Sequence, residues 1–437
     1  MTNRFSALLT TESEVILNKI LLKSAVVDVR GGKTTHKDIL IGNGKFLKIA
    51  DKVSAEDSAG CEIVDCTNFA VLPAFYNGHT HAAMTLLRGY ADDMELSRWL
   101  NEYIWPFEAK LTDEDIEIAS RLAVLEMIKS GTAFFSDMYW HREWTMKVVE
   151  EMGIRATIGV TISDMLTPPD ELEGNFAFLA AHTGESERVR LAVMPHSIYA
   201  VSEKVLKRCF EIAKAENYIV HIHLSETQKE VDDCIKQYGC TPVQLLKRLG
   251  GLNENLVAAH CVHFTEEDMK IFADSGATAV LNPCSNLKLS SGIPQIKNLL
   301  DAGIKLALGT DGVSSNNNLD MREEMKFAAL LAKVCGSAET LPAHEVLEMA
   351  TSKTAHAYRI DAGTIAEGKL ADCLLVNLND ERMVPRHDLV SNWVYAASSG
   401  CIDSVICDGK FVMKNRHVNG EEEILKEAAD CAKRLTR

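Results

Sequence analysis

The stretch YIVHIHLSETQKEVDDCIKQYGCTPVQLLKRLGGLNENLVAAHCVH, residues 218–263, decides the fold. It opens on an apolar run, YIVHIHLS (218–225), continues through a helical segment, and closes on a second apolar run, LVAAHCV (256–262). Strand, helix and strand in that order read as a unit of parallel sheet. The pattern continues in both directions. TAFFSDM (132–138), RATIGVT (155–161) and RLAVMPHS (190–197) precede it, and TAVLNP (278–283) and KLALGTDG (305–312) follow. VLPAFYNGHTH (71–81) supplies the first strand of the series and completes eight. The helix within LTDEDIEIASRLAVLEMIKSG (111–131) has Thr112 as its cap, Asp115 three residues later and Gly131 as its stop. Eight strands alternating with helices predict a (β/α)8 barrel, a TIM barrel, over residues 73–362.

Both flanks have a different texture. ILLKSAVVDV (20–29), the turn signal Gly31-Gly32 and DILIGNGKFLKIA (38–50), with Asn43-Gly44 as a turn, are short strands without helical period. GTIAEGKLADCLLVNL (363–378) and CIDSVICDGKFVMKN (401–415) resemble them. Residues 1–72 and 363–437 are therefore expected to build one small β-sandwich from both chain ends. A last helix, from about Glu421, starts acidic and ends basic, and carries Ile424, Ala428, Cys431 and Leu435 on one face.

Bulk properties narrow the function. A net charge of −16 over 437 residues repels phosphate backbones and anionic lipid, which argues against nucleic-acid and membrane partners. No apolar run approaches the roughly 18 residues that span a bilayer. The N-terminal residues, MTNRFSALLTTESEVILNK, lack the pattern of a secretory signal. The 12 cysteines are dispersed, with no Cys-x-x-Cys, and read as buried thiols of a reducing compartment. A cytoplasmic enzyme is the expectation.

Barrel enzymes carry their reactive side chains at the C-terminal ends of the strands. The first strand ends His79-Thr80-His81, and residues i and i+2 of an extended chain share a face, so both imidazoles can meet one ion. Taken alone, the pair also suits two histidines hydrogen-bonded in a loop. The fifth strand offers His221 and His223, with His221 about 7 Å deeper along the strand and better suited to a buried hydrogen-bonded role. The sixth offers His260 and His263, and the eighth Asp311. Imidazoles and a carboxylate at one barrel mouth suit zinc or ferrous iron and leave room for a water.

This order of ligands resembles the amidohydrolase superfamily. PAFYNGHTHAAMTLLRGYADD (73–93), MPHSIYAVSE (194–203), HIHLSET (221–227), AAHCVH (258–263) and LGTDGVSSNNNLDM (308–321) resemble its branch of 5-methylthioadenosine/S-adenosylhomocysteine deaminases. The resemblance spans nearly the whole chain. It implies one divalent metal ion, zinc first and iron second, on His79, His81, His223 and Asp311. It further implies Glu226 as the proton-transferring acid, His260 as the imidazole that holds the attacking water, and Asp311 as a helper in its deprotonation. By the same resemblance Glu108, in IWPFE, accepts the ribose hydroxyls, His196 contacts the substrate, and Trp99 walls the pocket. The implied reaction is metal-hydroxide attack on C6 of an adenosine-type nucleoside, with loss of ammonia. The implied partners are a small-molecule nucleoside and further copies of the chain in a homo-oligomer.

Strand four ends VMPHS, without the Lys or Glu that bridges two metals in binuclear members, so one metal is expected. Guanine and pterin deaminases and triazine chlorohydrolases share such a site, but the Glu108 context favours a ribose-bearing substrate. A non-catalytic barrel scaffold would have lost ligands or the acid, and all are present. One departure concerns the 5′ side. Relatives that accept S-adenosylhomocysteine can hold its carboxylate with arginines after the third strand, whereas residues 156–187 here contain no Lys or Arg and several acids. Arg155 comes too early to match those positions, and Arg88 is one residue that could substitute.

Overall fold

The computed structural model describes residues 19–29, 33–94, 96–181 and 186–436. The N-terminal residues 1–18 and the turn at Gly31-Gly32 read above lie outside them. The two sheets contain sixteen strands in all. Those of the first sheet are β1 (Ile20–Val29), β2 (Lys33–Gly42), β3 (Lys45–Ala50), β4 (Glu62–Asp65), β5 (Phe69–Pro73), β14 (Cys373–Asn377), β15 (Ile402–Cys407) and β16 (Lys410–Met413). Those of the second are β6 (Phe75–Thr80), β7 (Thr132–Asp137), β8 (Arg155–Ile162), β9 (Val189–Pro195), β10 (Ile219–Leu224), β11 (Leu256–His260), β12 (Thr278–Leu281) and β13 (Lys305–Leu308).

The second sheet is the expected barrel: β6 to β13 pair in sequence order, all in parallel. At the mouth the first and last strands meet where Asp311 N donates to His79 O at 2.9 Å. The strands are buried on both faces because helices cover them outside and side chains fill them inside. In β10 every residue of IVHIHL is buried. Tyr76, Phe134, Ala192, Met194, Ile219, Val257, Val280 and Ala307 pack together as the interior layer, and Tyr358 closes it from below. The helix Asp113–Lys129 starts at a capping box of Thr112 and Asp115 and is followed by Gly131 at φ 93°.

Both chain ends meet in the other sheet, ordered β16-β15-β14-β5-β1-β2-β3, with β4 also on β1. Asn43 and Gly44, at φ 53° and 71°, form the tight turn between β2 and β3. A bulge lies between Leu22 and Ala25, with Ser24 at φ 59°. β1 pairs with β4 before the bulge and with β5 after it. Ile20, Leu22, Ile39, Ile41, Phe46 and Val71 from the N-terminal part share a core with Cys373, Leu375 and Ile406 from the C-terminal part. Arg155 ties this sheet to the barrel by bonds to Asp372 (3.3 Å) and Asp408 (2.7 Å). The final helix, Glu421–Leu435, buries Ile424, Ala428 and Cys431. No helix among the described residues is long and apolar enough to cross a membrane.

Candidate active site

The barrel mouth gathers its polar groups on strained backbone. Ser225, His260, Cys261 and Asp311 all hold positive φ, at 51°, 73°, 50° and 64°. Such conformations cost of order 1–3 kcal/mol each and persist where surrounding structure enforces them. Gly309 is needed at the same place, since a Cβ there would sit 2.5 Å from His79 N.

His79, His81, His223 and Asp311 converge as their strand positions predict. Asp311 Oδ1 lies 3.2 Å from His81 Nε2 and 3.5 Å from His79 Nε2, and His81 Nε2 lies 3.4 Å from His223 Nε2. The outer ring nitrogens are each committed. His81 Nδ1 bonds Met138 O and His223 Nδ1 bonds His196 O, both at 2.6 Å. Because a carbonyl only accepts, these nitrogens carry the ring proton, and each Nε2 faces the site, a bare lone pair whenever the ring is neutral. For His79 the same result follows through a chain. Tyr358 Oη donates to Gly78 O, and so accepts from His221 Nδ1 at 3.0 Å. His221 Nε2 then accepts from His79 Nδ1 at 2.8 Å. His221 thus occupies the deeper position expected of it, behind the cluster. His79 Nε2 is buried without a hydrogen-bond partner.

These donors fit a divalent cation: His79, His81 and Asp311 offer ligand atoms within 4.8 Å of one another, His223 Nε2 lies 3.4 Å from His81 Nε2, and His79 Nε2 is otherwise orphaned. Electrostatics agree. Burial pulls His79 down to about 4, which keeps it neutral. Burial is also the largest single influence on His81 and lowers it, but the bond to Asp311, the charge of Asp311 and the bond to Met138 O together outweigh it and lift that group to about 9. Asp311 therefore holds a positive charge beside it, a place that a cation can take as the proton leaves.

Glu226 and His260 stand next to this cluster, with Glu226 Oε2 3.7 Å from His260 Nε2. Burial pushes the Glu226 carboxyl upward, partly countered by His260, which favours its protonated form. His263 does not join them; its Nε2 bonds Ser291 O at 2.6 Å. The cavity above is lined by His81, His223, Glu226, His260 and Asp311 at its floor, and by Trp99, Trp105, Glu108, Tyr139 and His196 on its walls. Trp99 is buried and helps form the wall. His196 Nδ1 lies 3.2 Å from Ser197 Oγ, and burial holds it neutral, at about 3. Glu108 accepts from Tyr139 Oη at 2.6 Å.

Sequence reasoning passed over several residues here. After β12 the chain runs NPCSNLKLSS (282–291), and this stretch contacts three groups of the site. Ser285 Oγ donates to Asp311 Oδ2 (2.6 Å), Asn286 Nδ2 lies 3.0 Å from His260 Nδ1, and Ser291 Oγ donates to Glu226 Oε1 (3.1 Å). A run of Asn and Ser just past an apolar strand was the available signal. It was missed because these types also cap helices.

Comparison with known proteins agrees with this architecture. The amidohydrolase family model matches residues 70–412, and the chain belongs to that family. Among curated relatives, it is 41% identical over 423 residues to a 5′-deoxyadenosine deaminase of Methanosphaera stadtmanae, covering 95% of this chain and 99% of that one. It is 44% identical over 425 residues to 5-methylthioadenosine/S-adenosylhomocysteine deaminase 1 of Archaeoglobus fulgidus, with the same coverage. A zinc-bound adenosine deaminase of Xanthomonas campestris superposes with a TM-score of 0.90 at 31% identity, over 96% of this chain and 99% of that chain.

Proposed function

We propose that this protein is a hydrolytic deaminase that converts adenosine-type nucleosides, including 5′-deoxyadenosine and 5′-methylthioadenosine, to the inosine analogue and ammonia. One observation carries the reading: a single cavity joins the imidazole–carboxylate cluster and the Glu226–His260 pair to the half-buried carboxylate of Glu108. The names and near-complete coverage of the relatives support it.

One divalent ion, zinc first and iron second, is proposed on His79, His81, His223 and Asp311. The end of β9, Pro195-His196, offers neither Lys nor Glu for a second ion. When bound, such an ion supplies the Lewis acidity that makes water a nucleophile near pH 7. Glu108 accepts the ribose hydroxyls, Trp99 flanks the substrate, and His196 contacts it. Asp311 takes a proton from the attacking water as its oxygen bonds to C6. Glu226 delivers a proton to N1, so negative charge does not build on the ring. His260 steadies the oxygen at C6. Asp311 passes the water's proton on to the amino group, the remaining O–H proton goes to the Glu226 carboxylate, and the C6–N bond breaks as C6=O forms and ammonia leaves.

The test is ammonia release across adenosine, 5′-deoxyadenosine, 5′-methylthioadenosine, S-adenosylhomocysteine, guanine and a chlorotriazine. Turnover confined to the adenine nucleosides is expected. Turnover of guanine or the triazine with none of the nucleosides would overturn the reading.

A further inference from the structure

The four imidazoles around the reaction site are not held alike. His79, His81 and His223 each have Nδ1 committed as a donor, which leaves Nε2 as a lone pair. His260 has a side-chain amide at that position instead: Asn286 Nδ2 at 3.0 Å from Nδ1. Both residues are buried, Asn286 fully. An amide nitrogen donates, so His260 Nδ1 accepts and its proton resides on Nε2. The opposite amide orientation would leave two buried N–H donors without partners, where this one leaves the carbonyl oxygen and a single N–H. Unpaired N–H groups are the rarer of the two in native interiors.

We propose that Asn286 is a positioning residue that fixes His260 as the Nε2–H tautomer. This inference rests on the deaminase reading for its chemical meaning. His79, His223 and His260 nitrogens all lie within 4.8 Å of one another, so proximity alone would admit His260 as a metal ligand. The Nε2–H tautomer removes it from that set, since a protonated nitrogen has no lone pair to give. It also makes His260 a hydrogen-bond donor toward the oxygen arriving at C6, not the base that takes that oxygen's proton. The base work then falls to the carboxylates. Ser291 completes the arrangement: by donating to Glu226 Oε1 it leaves Oε2 as the oxygen that faces His260 and the cavity. One segment after β12 thereby assigns donor and acceptor roles to two neighbouring groups.

The test combines spectroscopy with kinetics on the zinc-loaded protein. Nitrogen-15 NMR of labelled histidines, with His260→Asn used for assignment, is expected to show His260 with a bare Nδ1 and a protonated Nε2. Asn286→Asp replaces the donor by an acceptor and should invert that signature, with kcat falling on the order of 100-fold, bound zinc unchanged and KM little altered. Asn286→Leu removes the donor without imposing the other tautomer, and a 10- to 100-fold loss of kcat is expected. A wild-type His260 protonated on Nδ1, or an Asn286→Asp variant with kcat within about threefold of wild type, would overturn the proposal. The wild-type spectrum decides the tautomer whichever substrate the enzyme turns over, so failure here is distinct from failure of the deaminase reading.

Discussion

Burial lifts the carboxyl of Glu108 to about 7, against the lowering effect of its bond from Tyr139. A carboxylate can accept from two ribose hydroxyls, whereas the protonated acid can accept fewer and must place a donor. Acidification below about pH 7 should therefore raise KM for nucleosides, while values above it leave KM flat. Tyr139→Phe removes a contribution that lowers this carboxyl, so the rise in KM should begin at higher pH; Glu108→Gln should abolish it. A KM profile unchanged in Tyr139→Phe would count against Glu108 as the ribose acceptor. Glu226→Gln should retain metal and lose at least ~100-fold in kcat, measured by ammonia release beside metal content. Near-normal turnover with bound metal would make Glu226 structural. At this scale the sequence exposed the residues at strand ends, because strand register aims His79 and His81 at one point and the barrel pattern brings the end of β10, with His223, to the same mouth. It did not expose Tyr139, Asn286 or Ser291, whose partners are 26 to 65 residues away and meet them only where the loops after nearby barrel strands pack together.

Among the elements, the helix Asp113–Lys129 shows how a local signal acquires a tertiary role. Asp115 Oδ2 accepts from Thr112 N and Oγ1 at 2.9 and 2.8 Å and closes the capping box. Its other oxygen accepts from Cys431 Sγ at 2.9 Å and from Arg434, both on the last helix. Asp115→Ala should cost about 2–3 kcal/mol, more than an exposed cap, because it unties both the cap and the C-terminal helix. Thermal or urea unfolding measures this, and a loss below about 0.5 kcal/mol would show that the last helix docks by its apolar face alone. All eight barrel strands were legible, since each is an apolar run buried on both faces and bounded by helix signals. The bend of β1 at Ser24 and the short strand β4 were not. A positive φ at a serine leaves no Gly or Pro mark, and β4, with the pattern EIVD, is mostly exposed.

Across the whole molecule, the net charge of −16 sets the background against which any anionic substrate arm is judged. The arginines nearest the 5′ side in sequence are already engaged. Arg155 lies at the base of the barrel on Asp372 and Asp408, and Arg88 is bound to Glu126 and to Asn317 O. A second chamber adjoins the active cavity and shares Trp105, Glu108, Tyr139 and Trp140 with it. Arg142 is the one guanidinium among the residues that line this chamber, beside Glu143 and Glu171. It lies 4.0 Å over the Phe178 ring, donates to Asn175 Oδ1 at 2.9 Å and pairs with Glu143 at 3.2 Å. A substrate carboxylate would have to displace Glu143 from it, in a wall that also repels negative charge. Neutral nucleosides should therefore be preferred over S-adenosylhomocysteine. A missing charge-assisted pair is worth roughly 1.5–3 kcal/mol, or about 10- to 150-fold in kcat/KM. Arg142→Met should lower the residual turnover of S-adenosylhomocysteine further and leave 5′-deoxyadenosine unchanged. A kcat/KM ratio of one or below for 5′-deoxyadenosine over S-adenosylhomocysteine would mean that Arg142 is free to bind a carboxylate. The arginine variant would then raise that ratio by the full factor, which separates a basic subsite from a site indifferent to the 5′ group.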